Sequence, residues 1–529
     1  MRQLTALDAQ FLHVECATTT AHVAGLAILD PADGSVSRES LAALLRERIH
    51  LSPALCLRLA PVPLGLDRPY WVAEPAPDID DHLFETVLAA PGDHRRLAEE
   101  VARIHERRLD RTRPLWEMHL IRGLAGGLAA VYTKVHHAAI DGVSGAETLA
   151  ALLDLGPIRP PGRPGGRRAA VAWTPGGAAE DGRRSGGEAG AGLGAGGMVA
   201  AAVLRSMTYP VRAVAAAVRT AGDLDAIPLV STVPGAGLIA RAARAVTRDQ
   251  HSRPRLPRLA PPRTPLNGPI SARRHLAFGS VPLKDVKKVA RTHGVSVNDV
   301  VMTLCAAALR SWLAERDALP DEPLVVAVPV AVRGPRAGGG PGVPEPSGTR
   351  EPPGGGQPAD ARQPSGAREA AGNQISVMAA PLPTDVADPV ERLLRMGETM
   401  RAAKRRFALA PARWVGDLCS LLPAPVGALA TPAIFRLTSV AFPPINLIIS
   451  NVPGPPFPLY LCGGRVLSYY PLSVLTDLTG GVNITCFSYD GMLDFGVVAC
   501  PERMDDVWGL LGHLQRALAE LPAEDDARA

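Results

Sequence analysis

Aromatic side chains are scarce in this 529-residue sequence: Phe, Trp and Tyr make up 4% of it, against 52 Gly and 51 Pro. The hydrophobic content of 47% is that of a globular protein, so the shortage of large rings beside so much Gly and Pro predicts a packed core interrupted by stretches that pack nothing. Cysteine is equally uninformative as a scaffold. The seven residues Cys16, Cys56, Cys305, Cys419, Cys462, Cys486 and Cys500 are odd in number, widely spaced and free of CxxC or Cys/His spacing. That excludes a disulfide framework and a structural zinc site, and predicts reduced thiols in a cytoplasmic protein. No charged-then-apolar leader opens the sequence, so secretion is not expected. The best candidate for a membrane span, the uncharged stretch 418–435, is broken by Pro423, Pro425, Gly427 and Pro432, so a membrane-spanning helix is not expected either. Neither sign of charge dominates: the net charge is +4 with 52 acidic residues interspersed, which excludes the basic field of a nucleic-acid partner. Several catalytic signatures are also missing. There is no GxSxG nucleophile elbow, no Walker phosphate loop and no HExxH zinc pair. The formal GxGxxG at 192–197 follows no strand and sits in low-complexity sequence, so it predicts no dinucleotide cofactor.

What remains is α/β patterning in two blocks. In the first, Asp93 caps a helix carrying Leu97, Val101 and Ile104 at helical spacing, and Leu128 to Val135 is apolar and β-branched enough for a buried strand. Residues 144–155 read as a helix, and 156–197 dissolve into Gly, Pro, Arg and Ala as a linker. Helices over 198–220, apart from Pro210, and over 236–247 connect the halves, followed by a basic, Pro-rich stretch at 253–265. The second block opens with a strand at 275–278, then helices over 282–292 and 300–313 and a buried strand at 324–330. A low-complexity insert at about 334–371 is expected to be a disordered excursion, with α/β alternation resuming from 373. The sequence therefore divides into 1–155, a connecting region 156–265, and 266–529.

The most informative motif is Lys134-Val-His-His-Ala-Ala-Ile-Asp-Gly142, two adjacent histidines at a strand end with Asp141-Gly142 just beyond. Side chains alternate across a strand, so only one imidazole can face a given cleft. A neutral imidazole titrates near pH 6.5, which suits it to take a proton from an alcohol. Asp141 is placed to turn back and brace the loop, while Gly142 permits backbone angles other residues resist. The bland alternative is a pair of core histidines beside a turn.

This pattern, with Leu4-Thr-Ala-Leu-Asp-Ala-Gln-Phe-Leu-His13, Pro114-Leu-Trp-Glu117, Leu266-Asn-Gly-Pro-Ile270, Asn298-Asp299, Gly372-Asn373, Asn451-Val-Pro-Gly-Pro455 and Val482-Asn-Ile-Thr485, resembles the bacterial wax ester synthase/diacylglycerol acyltransferases. These enzymes belong among the acyltransferases built like chloramphenicol acetyltransferase. The motifs come in order over nearly the full length. The resemblance implies an α/β fold of two chloramphenicol acetyltransferase-like domains, with the active site and a substrate tunnel at their interface. It implies a fatty acyl group moving from acyl-CoA to diacylglycerol or a long-chain alcohol, with His137 as general base and His136 packed behind it. Asp141 would hold the loop by pairing with an arginine. No metal or redox cofactor is implied, and acyl-CoA is a substrate. Peripheral contact with a membrane or lipid droplet is a further implication.

The other motifs have structural readings of their own. Trp116 suits a packing anchor and Glu117 a partner for Arg111 or Arg113, with Pro114 and Leu115 shaping the approach to the histidine strand. Asn298 and Asp299 stand where a helix begins and suit N-capping. Asn451, Pro453 and Gly454 form a stiff turn after an apolar strand and suit a rigid wall between domains. Two rival functions remain open from the residues: a condensation or polyketide-type acyltransferase served by a carrier protein, and a non-catalytic lipid-binding protein.

Overall fold

The computed structural model describes residues 1–31, 36–140, 148, 151–157, 194–223, 236–247, 259–331, 375–409, 416, 419 and 422–522. The expected linker and the 334–371 insert lie almost wholly outside the described residues, as do Gly372-Asn373 and half of the expected 144–155 helix, which is helical at 148 and 151–152 and has ended by 153.

The first half supplies β1 (Arg2–Gln3), α1 (Ala6–Val14), β2 (His22–Asp30), α2 (Arg38–Arg48), β3 (Leu57–Ala60), β4 (Tyr70–Ala73), β5 (Leu83–Val87), α3 (His94–His105), β6 (Trp116–Arg122) and β7 (Ala129–His136). Helix α1 forms because Thr5 and Asp8 make a reciprocal capping box ahead of an apolar turn. Asp93 caps α3 through the Arg96 N–H, as its position predicts, and Leu97, Val101 and Ile104 are buried. β2, β7 and β6 pair antiparallel, and β5 adds in parallel to β6. β7 thus lies central, buried on both faces, which is why it reads as a continuous apolar run.

Two helices, α4 (Ala195–Asp223) and α5 (Ala236–Thr247), follow. The expected 236–247 helix matches, while α4 runs through Pro210, where an interruption was expected.

The second half contributes β8 (His275–Pro282), α6 (Leu283–Thr292), α7 (Val297–Ala314), β9 (Leu324–Ala331), β10 (Ile375–Leu382), α8 (Pro389–Leu409), α9 (Ala424–Ala441), β11 (Leu447–Val452), β12 (Tyr460–Leu461), β13 (Gly464–Leu472), β14 (Val482–Tyr489), β15 (Met492–Ala499) and α10 (Val507–Ala519). Its sheet has the order β10-β9-β11-β14-β15-β8, with β9, β11 and β14 parallel and the remainder antiparallel. α7 is apolar nearly all round because it is the core helix on this sheet, with Val300, Val301, Leu304, Ala308 and Leu309 all fully buried.

α9 departs from expectation. The helix begins after Pro423 with Pro425 in its first turn, where a missing N–H costs nothing, and continues through Pro432. It and α7 are both long and apolar enough to cross a membrane, but α7 is mostly buried within the protein whereas α9 is mostly exposed.

The halves are sewn together by a strand exchange. β12 and β13 leave the second half and extend the first sheet to β12-β13-β2-β7-β6-β5, with β13 antiparallel to β2. β13 also lies against β15 so closely that a Cβ on Gly496 would meet the Pro471 carbonyl oxygen at 1.9 Å. Buried Asp494 on β15 fastens this contact: its carboxylate accepts from the Tyr469 N–H at 2.7 Å and the Ser280 hydroxyl at 2.6 Å.

Candidate functional site

The backbone of β7 sets the two histidines. The His136 N–H donates to the Leu115 carbonyl at 2.9 Å on one side, and the His137 N–H donates to the Ala21 carbonyl at 2.8 Å on the other. The side chains accordingly part. His136 is fully buried, while His137 is half-buried with its ring stacked on Phe11 of α1 at 4.0 Å between centroids and 5° between planes. The alternation expected of a strand end is thus met, and of the two residues only His137 keeps partial exposure, with its Nδ1 buried.

His136 is held from both ends. Its Nδ1 accepts the Ala138 N–H at 3.0 Å, and its Nε2 lies 3.5 Å from Glu15 Oε1. Glu15 is the residue that reading the sequence missed. Burial works to raise its pKa, but His136, the Ala21 N–H and the Arg111 guanidinium outweigh burial and hold the carboxyl at about 2. Arg111 reaches Glu15 Oε2 at 2.7 Å and the Leu12 carbonyl at 2.8 Å, so the end of α1 and the histidine strand share one charged clasp. The only signal for it was position, directly after the α1 motif.

Beneath the strand lies a buried polar cluster. Lys134 is fully buried and its ammonium donates to the Arg107 carbonyl at 2.8 Å, to the Ile104 carbonyl at 3.1 Å and to Glu117 at 3.1 Å. His119 Nε2 donates to the same carboxylate at 3.1 Å. Glu117 therefore pairs with Lys134 and His119, not with an arginine as expected. Arg113 turns to Asp81 at 3.0 Å, and Arg111 is engaged by Glu15. The physical reason is register: Glu117 and Lys134 are direct cross-strand partners on β6 and β7. His22, opposite His136 in the β2–β7 register, is fully buried and has no hydrogen-bond partner on either ring nitrogen among the described residues. Burial, followed by the charges of His105, Lys134 and His136, drives its pKa well below the usual histidine value. His105, packed edge-on to His22 at 4.5 Å, is held down at about 3 by burial and by Arg274 and Lys134.

Trp116 is the packing anchor expected of it: fully buried, stacked on His82 at 4.4 Å, its Nε1–H donating to the Leu55 carbonyl at 3.0 Å. Leu115, through its carbonyl on His136, ties the Pro114-Leu-Trp-Glu117 segment to the histidine strand. Asp141 and Gly142 lie outside the described residues. Beyond them the chain is pinned again, with Asp154 bridging to Tyr460 of β12 and pairing with the buried Arg48 at 2.9 Å. Among the described residues no group of three or more His, Cys, Asp or Glu side chains is placed to hold a metal ion.

Comparison with known proteins assigns this architecture. The wax ester synthase/diacylglycerol acyltransferase catalytic domain matches residues 4–301, and the C-terminal domain of the same family matches residues 371–522. The chain belongs to this family. It is an acyltransferase. Two Mycobacterium tuberculosis proteins that bear diacylglycerol O-acyltransferase names are each 32% identical to it, over 98% of this chain and 90% and 99% of theirs. The wax ester synthase/diacylglycerol acyltransferase of Marinobacter aquaeolei is 28% identical, superposes with a TM-score of 0.63, and is covered over 98% of both chains. The α/β two-domain fold implied by the motifs is the fold of that enzyme.

Two further motifs of this family member meet in the second half. The Asn451 side-chain amide on β11 donates to the Asn298 side chain at 3.2 Å. Ser296, not Asn298, is the N-cap of α7, so Asn298 is the second helical residue, and Asp299 completes a capping box by accepting the Ser296 N–H at 2.9 Å. Asp299 thus caps as expected, through the third helical position. Gly454 accounts for its own turn: a Cβ there would meet the Ser488 carbonyl oxygen at 2.1 Å, and its N–H donates to the Ser488 hydroxyl at 2.9 Å. Pro453 and Gly454 therefore press the chain against the end of β14 before it crosses to β12, which gives the turn its place between the halves.

Proposed function

We propose that this acyltransferase moves a fatty acyl group from acyl-CoA to diacylglycerol or a long-chain alcohol, with His137 as general base. The observation that carries the reading is the half-buried His137 ring at the end of the central strand, backed by the rigid His136–Glu15–Arg111 clasp. The diacylglycerol O-acyltransferase names of the relatives and the wax ester synthase name of the Marinobacter enzyme support the acceptor class. In this scheme His137 takes the proton of the acceptor hydroxyl as its oxygen attacks the thioester carbonyl. The tetrahedral intermediate then collapses, the C–S bond breaks, and His137 returns the proton to the CoA sulfur. A thioester is already activated, so alignment and one proton shuttle suffice without a covalent acyl-enzyme. His136 acts by position, fixing the strand end.

The acceptor is a lipid, and α9 suits contact with an anionic lipid surface in the cytoplasm. Its outer residues include Leu429 and Leu437, 83% and 71% exposed, with Val426, Ile434, Val440 and Phe442 also exposed. No carboxylate occurs from 422 to 446, while Arg436 lies on the helix and Arg263 donates to the Ala441 carbonyl at its end. Basic and apolar groups together favour anionic lipid. α1 stands between this helix and the base: Gln10 donates to Thr431 of α9 at 2.9 Å, and the next residue, Phe11, stacks on His137.

Labelled acyl-CoA incubated with a panel of alcohols and diacylglycerol, followed by neutral-lipid separation, tests the activity. Absence of labelled ester overturns it. Flotation with anionic vesicles tests the surface, and a Leu429→Ser/Leu437→Ser variant that floats like the parent rules out α9.

A further inference from the structure

We propose that the outer face of α6 is the anchor for the phosphates of the CoA donor, a site for a phosphorylated adenine nucleotide distinct from the histidine strand. This rests on the acyl-CoA reading above and deepens it. An open cleft of about 750 Å³ is lined by Lys284, Lys287, Ala290, Arg291, Gly294, Val295 and Val297. That size lies within the usual range for small-ligand sites, roughly 300–1,000 Å³. The three cations recur at helical spacing on one exposed face of α6, while Val286, Val289 and Ala290 turn inward to the core. They extend over about 10 Å of helix, room for more than one phosphate group.

Three features single out this cleft. Among the described residues the side chains of Lys284, Lys287 and Arg291 make no hydrogen bond or ion pair and no carboxylate lines the cleft, so the positive charge there is uncompensated by them. Most surface arginines of this protein, by contrast, are paired, such as Arg38 with Asp80 and Arg273 with Glu502. A fourth cation borders it: the space above Gly397 of α8 is flanked by Val295 at 3.2 Å and by Arg401 Nη1 at 3.5 Å. Asp299, whose Oδ2 also flanks that space at 3.8 Å, caps α7 by accepting the Ser296 N–H, so the side-chain cations rather than the helix end supply the attraction.

The ligand class follows from the surroundings. A lipid headgroup site would carry exposed large apolar side chains beside its cations, and no residue lining the cleft is among the exposed large hydrophobics. A water-soluble polyphosphate fits instead, and the donor of the proposed reaction carries a 3′-phosphate and a 5′-diphosphate. Val297 lines the cleft, and the next residue, Asn298, is bonded to Asn451 on β11, so the site adjoins the motifs of the second half.

The test compares the full-length protein with a Lys284→Ala/Lys287→Ala/Arg291→Ala variant, none of whose substituted residues packs the core. Calorimetric titration with adenosine 3′,5′-bisphosphate should give binding weakened about 30-fold or more in the variant, the loss expected for several charge-assisted contacts on an exposed face. In steady state the KM for acyl-CoA should rise by a similar factor with kcat within about twofold. The parent should prefer acyl-CoA to acyl-dephospho-CoA, and the variant should lose that preference. Equal nucleotide binding by parent and variant, or none by the parent, overturns the site. So does a variant that loses only binding to anionic vesicles, which would assign the cations to lipid. Because nucleotide binding is read without turnover, failure of ester formation alone would count against the reaction and not against this site.

Discussion

The two sheets of this protein are built to opposite rules. The first buries His22, His105, His119, Lys134 and His136 around its central strand. The second buries an almost unbroken aliphatic core, with α7 and the β9, β11, β14 and β15 strands contributing Val300, Leu304, Val326, Leu447, Ile484 and Val497. Burying ionisable groups is costly unless they are paired, and around this strand the carboxylates of Glu117 and Glu15 stand against Lys134, His119 and His136. The aliphatic half supplies stiffness, the β13 strand and the Asn298–Asn451 contact. Buried Arg274, Asp299, Arg392, Asp477 and Asp494 are the ionisable exceptions there, and Asp494 sits where the second sheet grips the first.

The difference can be broken at several points. His137→Ala should lower ester formation by about 10²–10⁴-fold with an unchanged melting temperature. A well-folded variant with near-normal turnover would remove the base from the first sheet. Gly496→Ala puts a methyl onto the Pro471 carbonyl, and should cost about 1–3 kcal/mol in denaturant unfolding while loosening both halves together. Unfolding of one half alone would show that the strand exchange does not couple them. Glu15→Gln leaves His136 and Arg111 without their charged partner and should cost about 1–3 kcal/mol, with kcat falling more than KM rises. A change confined to KM would detach the clasp from the chemistry.

Acid separates the halves in sign. His22 and His105 fold with depressed pKa values, so the unfolded chain takes up their protons first. Stability should fall as pH drops below about 6.5, by up to about 1.4 kcal/mol per pH unit for each ring. Asp494 behaves oppositely. Burial, against the Ser280 and Tyr469 hydrogen bonds, raises it from 3.8 to about 6. Its contribution is present below pH 3.8 and lost as pH rises to 6. His22→Leu should flatten the acid limb of a melting-temperature profile, and Asp494→Asn should raise the melting temperature at pH 8 more than at pH 4. Identical profiles for both variants and the parent would erase the contrast.

Local patterning carried much of this protein into view. The Asp93 cap, the apolar strand before His136 and the helices over 236–247 and 283–292 were legible because each depends on neighbours within a few residues. The alternate facing of His136 and His137 followed from strand geometry alone. α9 misled because prolines were read as breaks, whereas one falls in a first turn that needs no N–H and another is accommodated within an exposed helix. The Glu117 partner was misassigned because cross-strand register decides it, and register is not written in either strand separately.

By itself, then, the chain of residues determined many of the segments that are helix or strand and the family they belong to. Only the tertiary structure decided that β13 crosses into the first sheet, that Glu15 and Arg111 clasp His136, that Phe11 backs His137, and that three cations on α6 stand unpaired around a cleft. Those contacts join residues far apart in sequence. Their free energy comes from burial and pairing that exist once the sheets have closed, so no local pattern could announce them.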